Sequence, residues 1–204
     1  MKSKACIFIK NVNLLKTLDL EDYFLVGVDK GAYELASNHI NMDLAIGDFD
    51  SISSEELTHV KAFASIIKTL NPIKDNTDTY EAYMEVKDYS SIIILGAIQG
   101  KRIEHFLANL NLVKSNKNII LKDENSIIYK KDSYFKITKS EYKYYSFFAL
   151  EETVISLDGF KYPLSEYSLS PYDSLTISNE LIEDEGSVNI DGGSVVIIES
   201  KNDR

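Results

Sequence analysis

The sequence has one cysteine, few basic residues and no long hydrophobic run, and each scarcity excludes a class of protein. Cys6 has no second cysteine to pair with, so an internal disulfide is impossible, which fits a reducing compartment. Only 22 basic residues stand against 32 acidic ones, and the net charge of -10 argues against broad nucleic-acid binding. The apolar run at residues 5–9 is too short for a signal-peptide core, and no stretch approaches a membrane span. We therefore expect a soluble, cytoplasmic protein.

The first 120 residues alternate between strand-like and helix-like segments. Ser53 and Glu56 have the spacing of a capping box, and Asn76 or Thr77 is placed to begin a second helix. Apolar residues recur on one helical face between Ile103 and Val113. Short apolar runs, predicted to be buried strands, lie at residues 6–9, 24–28, 44–46, 65–67, 92–95 and 119–121. This alternation predicts an α/β layer with a mostly parallel sheet.

The pattern changes near residue 123, where helical periodicity gives way to short β-rich runs. These runs lie at residues 126–129, 134–137, 144–150, 153–157, 174–177, 188–190 and 195–199. Turn residues separate them, among them Asp158-Gly159 and Ser178-Asn179. We predict an N-terminal α/β domain of Rossmann-like type at residues 1–123, followed by a smaller all-β sandwich domain at residues 124–204.

Acidic or polar clusters follow four of the predicted strands. Loops after parallel strands share one edge of a sheet, where ligands bind in α/β proteins. Crowded carboxylates repel one another, and Mg²⁺ would relieve this because it prefers oxygen ligands and leaves room for substrate phosphates. The carboxylates expected to meet there are Asp29, Asp48, Asp50, Asp75 and Asp78.

Basic residues and a helix start accompany these carboxylates. Lys74, Lys101 and Arg102 offer cations to phosphate oxygens, and the helix starting near Ile103 points its positive end at the same edge. Together these groups suit phosphoryl or pyrophosphoryl transfer, in which positioning and charge neutralisation dominate. Each cluster alone also has a purely structural interpretation: Asp48 and Asp50 as a loop that caps amides, Thr77 as a helix cap.

Ordered motifs carry a resemblance to a known family. In the first half they are Asp29-Lys30-Gly31-Ala32, Gly47-Asp48-Phe49-Asp50-Ser51, Asp75-Asn76-Thr77-Asp78, Gly100-Lys101-Arg102-Ile103-Glu104-His105 and Leu107-Ala108-Asn109-Leu110. In the second half they are Gly159-Phe160-Lys161-Tyr162-Pro163-Leu164 and Ile177-Ser178-Asn179-Glu180. In order and separation they resemble the thiamine pyrophosphokinase family, over nearly the whole chain.

The resemblance implies an α/β domain, a β domain and a homodimer with active sites formed between subunits. It implies ATP and thiamine as substrates, Mg²⁺ as cofactor and AMP as a product. Asp48, Asp50 and Asp78 would be catalytic and hold the metal. The nucleotide would be held by Asp29, Lys74, Asp75, Thr77, Lys101, Arg102 and Glu104. Thiamine, a flat cation, would lie near Ser178 and Asn179 of the partner subunit. Tyr162, Tyr167 and Tyr172 are candidate partners on which it could stack.

The chain departs from the family pattern at three positions. Lys30 stands where the family usually has glycine, Lys101 is an apparent extra residue, and Glu104 replaces a usual aspartate. Two other functions compete with the resemblance. One is a metal-dependent phosphatase that uses an aspartyl nucleophile at Asp48, and the other is a nucleotide-binding module without catalysis. Neither explains the motifs of the second half.

Overall fold

The computed structural model describes residues 2–73 and 75–202. The chain divides into two compact units, the first formed by Met1–Leu112 and Asn118–Glu124 and the second by Val113–Lys117 and Asn125–Arg204. Within the described part of the chain, no helix combines the length and apolar character needed to cross a membrane.

The first unit is built on six parallel strands. They are β1 (Lys4–Phe8), β2 (Tyr23–Val28), β3 (Met42–Gly47), β4 (Ala64–Thr69), β5 (Ser91–Leu95) and β6 (Ile119–Lys122). Their order in the sheet is β4-β3-β2-β1-β5-β6, and every neighbouring pair is parallel. The mostly parallel α/β prediction is confirmed. The Rossmann-like label is not confirmed, because this order differs from the 3-2-1-4-5-6 order of that fold.

Four α-helices connect these strands. They are α1 (Lys30–Ser37), α2 (Ser54–Phe63), α3 (Asp78–Val86) and α4 (Ile103–Ser115), and two short 3-10 helices at Val12–Thr17 and Leu20–Asp22 follow β1. The predicted capping box is confirmed: Ser53 Oγ accepts the Glu56 amide at 3.2 Å, and the Glu56 carboxylate accepts the Ser53 amide at 2.6 Å. Thr77 caps α3 by accepting the Tyr80 amide at 3.2 Å.

The core of the first unit lies between the central strands and the helices. Cys6 on β1 and Leu35 on α1 are fully buried in it, and burial raises the pKa of the Cys6 thiol, which keeps it protonated and unreactive. Two expectations were wrong. The run at residues 65–67 is an edge strand, and its Ile66 side chain is 57% exposed. On α4, Ile103 and Leu107 of the predicted apolar face are exposed, and the first buried residue is Asn109, midway along the helix.

The second unit is antiparallel throughout its described strands. These are β7 (Ser126–Lys131), β8 (Phe135–Thr138), β9 (Tyr144–Ala149), β10 (Thr153–Asp158), β11 (Leu164–Leu169), β12 (Glu185–Asp191) and β13 (Val195–Ser200). β13 pairs with β7 and β9, and a four-stranded sheet has the order β11-β10-β12-β8. One core takes Phe147 and Ile197 from the first group and Ile155 and Val188 from the second, which is the packing of a sandwich.

One predicted strand of the second unit does not form. Residues 174–177 are turns, in which the Thr176 hydroxyl donates to the Phe147 carbonyl and the Phe147 amide donates to the Thr176 carbonyl. The polar side chain thus holds the segment against β9 without a strand ladder. β11 was missed because a bulge opposite residues 155–157, with Glu166 at φ 47°, breaks the apolar alternation of its sequence.

Candidate active site

The loops that carry the predicted residues share one edge of the parallel sheet. Along the strand order, the loop after β4 leads to α3, and Asp48 and Asp50 follow β3. Asp29 follows β2, Lys10 lies just beyond β1, and residues 96–102 follow β5. This edge of the sheet, which we call the rim, therefore runs from an acidic side at β4 and β3 to a basic side at β1 and β5. It lies at the carboxyl ends of the strands, where open α/β sheets bind ligands.

The acidic side is organised around Asp29. Its amide donates to the Ile46 carbonyl at 3.0 Å, its carbonyl accepts the Ala32 amide at 3.0 Å, and its Oδ1 accepts the Phe49 amide at 3.4 Å. These contacts hold Asp29 at φ 47° and Phe49 at φ 56°, a left-handed region that L-residues rarely adopt. Such conformations cost about 1–3 kcal/mol each and cluster at functional sites.

The loop after β3 places Asp48 and Asp50 differently. Asp48 is half-buried and its Oδ1 accepts the Asp50 amide at 3.1 Å, whereas the Asp50 side chain is exposed. Part of the structural interpretation of this loop therefore holds, since Asp48 caps an amide. Asp29 lies against the same loop, because a Cβ added at Gly47 would overlap the Asp29 carboxylate.

The loop after β4 leads to the first turn of α3. Asp75 is exposed, whereas Thr77 and Asp78 are half-buried, and one Asp78 carboxylate oxygen is inaccessible to solvent. Lys74 lies outside the described residues. The hydroxyl of Thr77 acts as a cap, and α3 itself contacts β1, β2 and β3. The start of α3 therefore belongs to the rim.

The basic side contains a pocket of about 240 Å³. It is lined by residues 9–10, 79, 96–103, 105–106 and 109, and no aspartate or glutamate is among them.

The Arg102 Nε donates to Glu104 Oε1 at 2.8 Å, and this contact lowers the pKa of the exposed Glu104 carboxyl. His105, which follows Glu104 in the motif, is exposed at the pocket. Asn109 anchors the loop, because its buried amide donates to the Ala97 carbonyl at 3.1 Å.

Lys10 is a residue of this pocket that the sequence analysis missed. Its ammonium donates to the Gln99 carbonyl, and it also borders a second pocket with Lys30 and Tyr33. The signal that could have found it was available, because a lysine directly beyond the first predicted strand falls on the same rim. Lys30, the first departure from the family pattern, is exposed beside this second pocket.

The carboxylates of the rim suit a hard divalent cation in type, but they form no preassembled metal site. Among residues 2–73 and 75–202, no three His, Cys, Asp or Glu side chains are grouped to hold a metal ion. Asp48, Asp50 and Asp78 are therefore not gathered around a common point by the protein itself. Mg²⁺ bound with a nucleotide usually takes one or two carboxylates and completes its coordination with phosphates and water. The donor set fits an ion that enters together with the nucleotide.

In the second unit, Tyr162 and Asn179 line a pocket of about 290 Å³. The buried Asn179 side chain accepts the Tyr162 amide at 3.0 Å and donates to the Tyr162 carbonyl at 2.8 Å. Its amide group thus acts mainly as a clamp between two loops. Ser178, at φ 57°, is exposed, and its amide donates to Ser146 Oγ at 3.0 Å.

The ring of Tyr162 faces a cation in this structure. The Lys161 ammonium lies 5.6 Å from the ring centroid and pairs with the Glu180 carboxylate at 2.9 Å. This carboxylate raises the pKa of the Lys161 ammonium. An exposed aromatic face beside a carboxylate is suited to a flat organic cation.

Comparison with known proteins identifies the family in both units. The catalytic-domain model of thiamin pyrophosphokinase matches residues 15–122, and the vitamin B1 binding domain model of the same enzyme matches residues 132–195. A thiamine pyrophosphokinase of Bacillus subtilis (strain 168) is 35% identical over 184 residues, which are 86% of each chain.

The chain belongs to the thiamine pyrophosphokinase family. The phosphatase and the non-catalytic module are not favoured by these matches. The catalytic-domain match contains every predicted residue of the rim from Asp29 to Glu104, and the vitamin B1 match contains Tyr162, Ser178 and Asn179.

Solved structures of family members have the same two-part fold. The crystal structure of the thiamine pyrophosphokinase from Bacillus subtilis superposes with a TM-score of 0.84 at 29% identity, over 98% of this chain and 99% of that one. The protein from Geobacillus thermodenitrificans gives a TM-score of 0.85 at 28% identity, over 98% of both chains. These thiamine pyrophosphokinases confirm the combination of a mostly parallel sheet with an antiparallel β unit.

Proposed function

We propose that the chain transfers the terminal pyrophosphoryl group of ATP to the hydroxyl of thiamine, which yields AMP and thiamine diphosphate. The proposal depends on one observation: the catalytic-domain model and the vitamin B1 binding domain model of the same enzyme both match this chain, one in each half. The rim motifs lie inside the catalytic match. The division of the rim into an acidic and a basic side supports it, because the reaction needs cations for phosphate oxygens and carboxylates for a metal and a proton.

The reaction that fits this rim is an in-line attack of the thiamine hydroxyl oxygen on the β-phosphorus of ATP. A bond forms between that oxygen and the β-phosphorus, and the bond to the oxygen bridging the α- and β-phosphates breaks, so AMP leaves with that oxygen. The hydroxyl proton passes to a carboxylate, for which Asp48 and Asp78 are the candidates. Both are half-buried at neighbouring loops, so both remain open as the base.

Nucleotide and metal are assigned to the first unit. Asp29, Asp75 and Thr77 would hold the nucleotide on the acidic side, and Lys74, Lys101 and Arg102 would meet its phosphates. Glu104 would act through Arg102, whose guanidinium it orients. Asp48, Asp50 and Asp78 are the residues we assign to Mg²⁺, with the remaining ligands from phosphate and water. When bound, the ion neutralises charge on the phosphate oxygens.

Thiamine is assigned to the pocket of the second unit. Tyr162 offers the ring on which the thiamine cation would stack, and Ser178, which stands in the chain between the lining residues Ile177 and Asn179, is exposed. Asn179 would contribute by fixing the loop that bears Tyr162. We further propose a cytoplasmic homodimer in which this pocket serves the partner subunit. Exposed apolar side chains around it support an interface, since Tyr162 is 59% and Leu175 60% exposed.

Product analysis tests the reaction. Purified protein with ATP, Mg²⁺ and thiamine is expected to form AMP and thiamine diphosphate in equal amounts, measured by chromatography. ADP as the sole nucleotide product, or AMP formation that does not depend on thiamine, would contradict pyrophosphoryl transfer. Radiolabel retained covalently on Asp48 would instead favour the phosphatase.

A variant of Asp48 tests the role of the rim. Asp48→Asn keeps the shape of the side chain but removes its charge, so we expect a normal fold and a loss of at least ~100-fold in kcat. Asp88→Asn is the matched control, because Asp88 is exposed just before β5, at the other end of the strands. Asp88→Asn should turn over at the wild-type rate. An Asp48→Asn variant that also does so would remove Asp48 from the mechanism.

A further inference from the structure

Lys10 occupies the point where the connections of the parallel sheet diverge. From β1 the chain proceeds outwards to β2, β3 and β4, and it then returns to place β5 on the other side of β1. The crevice beyond the ends of two such strands is the preferred ligand position in open α/β sheets. Lys10 lies two residues beyond the end of β1, directly at this crevice.

The loop after β5 is folded around Lys10. A Cβ added at Gly96 would lie 2.5 Å from the Lys10 carbonyl oxygen, so only glycine permits this approach. A Cβ added at Gly100 would lie 3.4 Å from the Lys10 ammonium, which donates to the carbonyl of Gln99. The half-buried lysine therefore lies close to both ends of the segment 96–100 and is hydrogen-bonded to it at Gln99.

The ammonium of Lys10 has a neutral partner in a positively charged pocket. Lys10, Lys101 and Arg102 are the cationic side chains along the pocket, and its lining contains no carboxylate. A hydrogen bond between an ammonium and a phosphate oxygen is roughly twice as strong as one between neutral groups. An anion that enters this pocket would thus compete well with the Gln99 carbonyl for the ammonium.

We propose that Lys10 is a phosphate-binding residue: it closes the loop 96–100 through Gln99 when no nucleotide is bound and binds a phosphate oxygen of ATP when one is. This inference rests on the proposed function and adds to it a residue outside the motifs and before the catalytic match, which begins at residue 15. It also explains why a lysine with a bulky, flexible side chain is enclosed by two glycines.

Calorimetry with a non-hydrolysable ATP analogue and with adenosine tests the role. Lys10→Met keeps the length of the side chain and removes its charge, so the affinity for the analogue should fall roughly 10- to 100-fold. The affinity for adenosine, which has no phosphate, should stay within about twofold of wild type. Lys10→Arg should retain most of the affinity for the analogue. Lys4→Met, at the opposite end of β1, is the matched control and should bind like the wild type.

Lys10→Gln separates the two tasks of the lysine. Its neutral amide can still donate to the Gln99 carbonyl, so we expect wild-type thermal stability together with weakened binding of the analogue. This variant also serves if Lys10→Met fails to fold. The proposal is overturned if either variant binds the analogue as the wild type does, or if affinity for adenosine falls as much as affinity for the analogue.

The test stands apart from that of the enzymatic activity. If the wild type binds the ATP analogue but makes no AMP with thiamine, the proposed function fails and the measurement on Lys10 remains valid. If the wild type makes AMP and Lys10→Met binds the analogue normally, the proposal for Lys10 alone is wrong.

Discussion

Asp29 is held by three hydrogen bonds in a backbone conformation that its side chain makes unfavourable. The amide, the carbonyl and the carboxylate each have a partner in β3, α1 or the loop after β3. The carboxylate has a fixed place because Gly47 has no side chain to displace it. These contacts offset the backbone strain at Asp29, and they also hold Asp29 against the loop that carries Asp48.

Replacing Gly47 tests this arrangement. Gly47→Ala would push the new methyl group into the Asp29 carboxylate, so we expect a loss of about 1–3 kcal/mol in the free energy of unfolding and a clear rise in KM for ATP. Denaturant unfolding and steady-state kinetics measure the two effects. Gly192→Ala is the control, because Gly192 has φ 67° but open space around it. It should lose about 1–2 kcal/mol at most and leave KM unchanged. Equal KM values in both variants would contradict the role of Asp29.

Sequence patterns located the acidic residues of the rim better than the basic ones. Asp29, Asp48 and Asp78 were found because each follows an apolar run, and the parallel sheet brings the ends of those runs to one edge. Lys10 was missed because the first run ends without an acidic cluster. Spacing along the chain determines which loops are neighbours but not which way each carboxylate turns, so the assignment of Asp48, Asp50 and Asp78 to a metal stays a prediction.

At the scale of helices, the two N-caps of the first unit offer a matched pair. Thr77 and Ser53 each accept the amide three residues on, at the starts of α3 and α2, but only Thr77 is among the residues we assign to the nucleotide. We expect Thr77→Ala and Ser53→Ala each to cost about 1 kcal/mol of stability, measured by urea unfolding. Only Thr77→Ala should also raise KM for ATP, and Thr77→Ser should restore it. If the two alanine variants leave KM equally unchanged, Thr77 is a cap and nothing more.

Strand β13 carries a half-buried acid, Glu199, whose ionisation opposes folding. Glu199 accepts a hydrogen bond from the Tyr129 hydroxyl at 2.6 Å, yet burial raises the pKa of the Glu199 carboxyl. A raised pKa in the folded state means that the contribution of Glu199 to stability is present at low pH. It is lost as pH rises from the unfolded value of about 4.3 through the folded value.

Unfolding free energies over this pH range check the sign. The stability of the wild type relative to Glu199→Gln should be greatest at the acidic end and should decline as pH rises. Parallel curves for the wild type and Glu199→Gln would show that Glu199 is not desolvated.

The existence of most elements could be predicted from sequence, whereas their exposure could be predicted only in part. The runs that became β1, β2, β3 and β5 were predicted as buried, and they are. The run of β4 is equally apolar, yet Ile66 is exposed because its strand is the last in the order, a property of topology. β11 was not predicted, because a bulge breaks its apolar alternation. Residues 174–177 were predicted as a strand from their β-branched residues, but they form turns in which the Thr176 hydroxyl bonds to the Phe147 carbonyl.

For the whole molecule, active sites shared between subunits would permit rescue between two inactive variants. We expect a solution mass of twice 23.1 kDa by light scattering. Asp48→Asn and Tyr162→Ala, inactive or weakened alone, should on mixing and refolding recover roughly a quarter of wild-type activity, because half of the dimers contain one intact site. Mixing Asp48→Asn with Asp78→Asn should restore nothing, since the same subunit would supply both residues to a site, so every site in a mixed dimer keeps one of the two changes. A monomeric mass, or no recovery in the first mixture, would refute shared sites.

The edge strand β4 bears on how readily the protein aggregates at high concentration. Its outer backbone groups face no further strand of the described sheet, and Ile66 adds an apolar surface to them, so the strand is a template for intermolecular pairing. Lys68, which pairs with Glu85 at 2.6 Å, places a charge on this template. Removing that charge in Lys68→Val should speed the rise of light scattering on warming, whereas Lys61→Val on α2 should not. This outcome would make Lys68 a gatekeeper, which keeps one chain from extending the sheet of another.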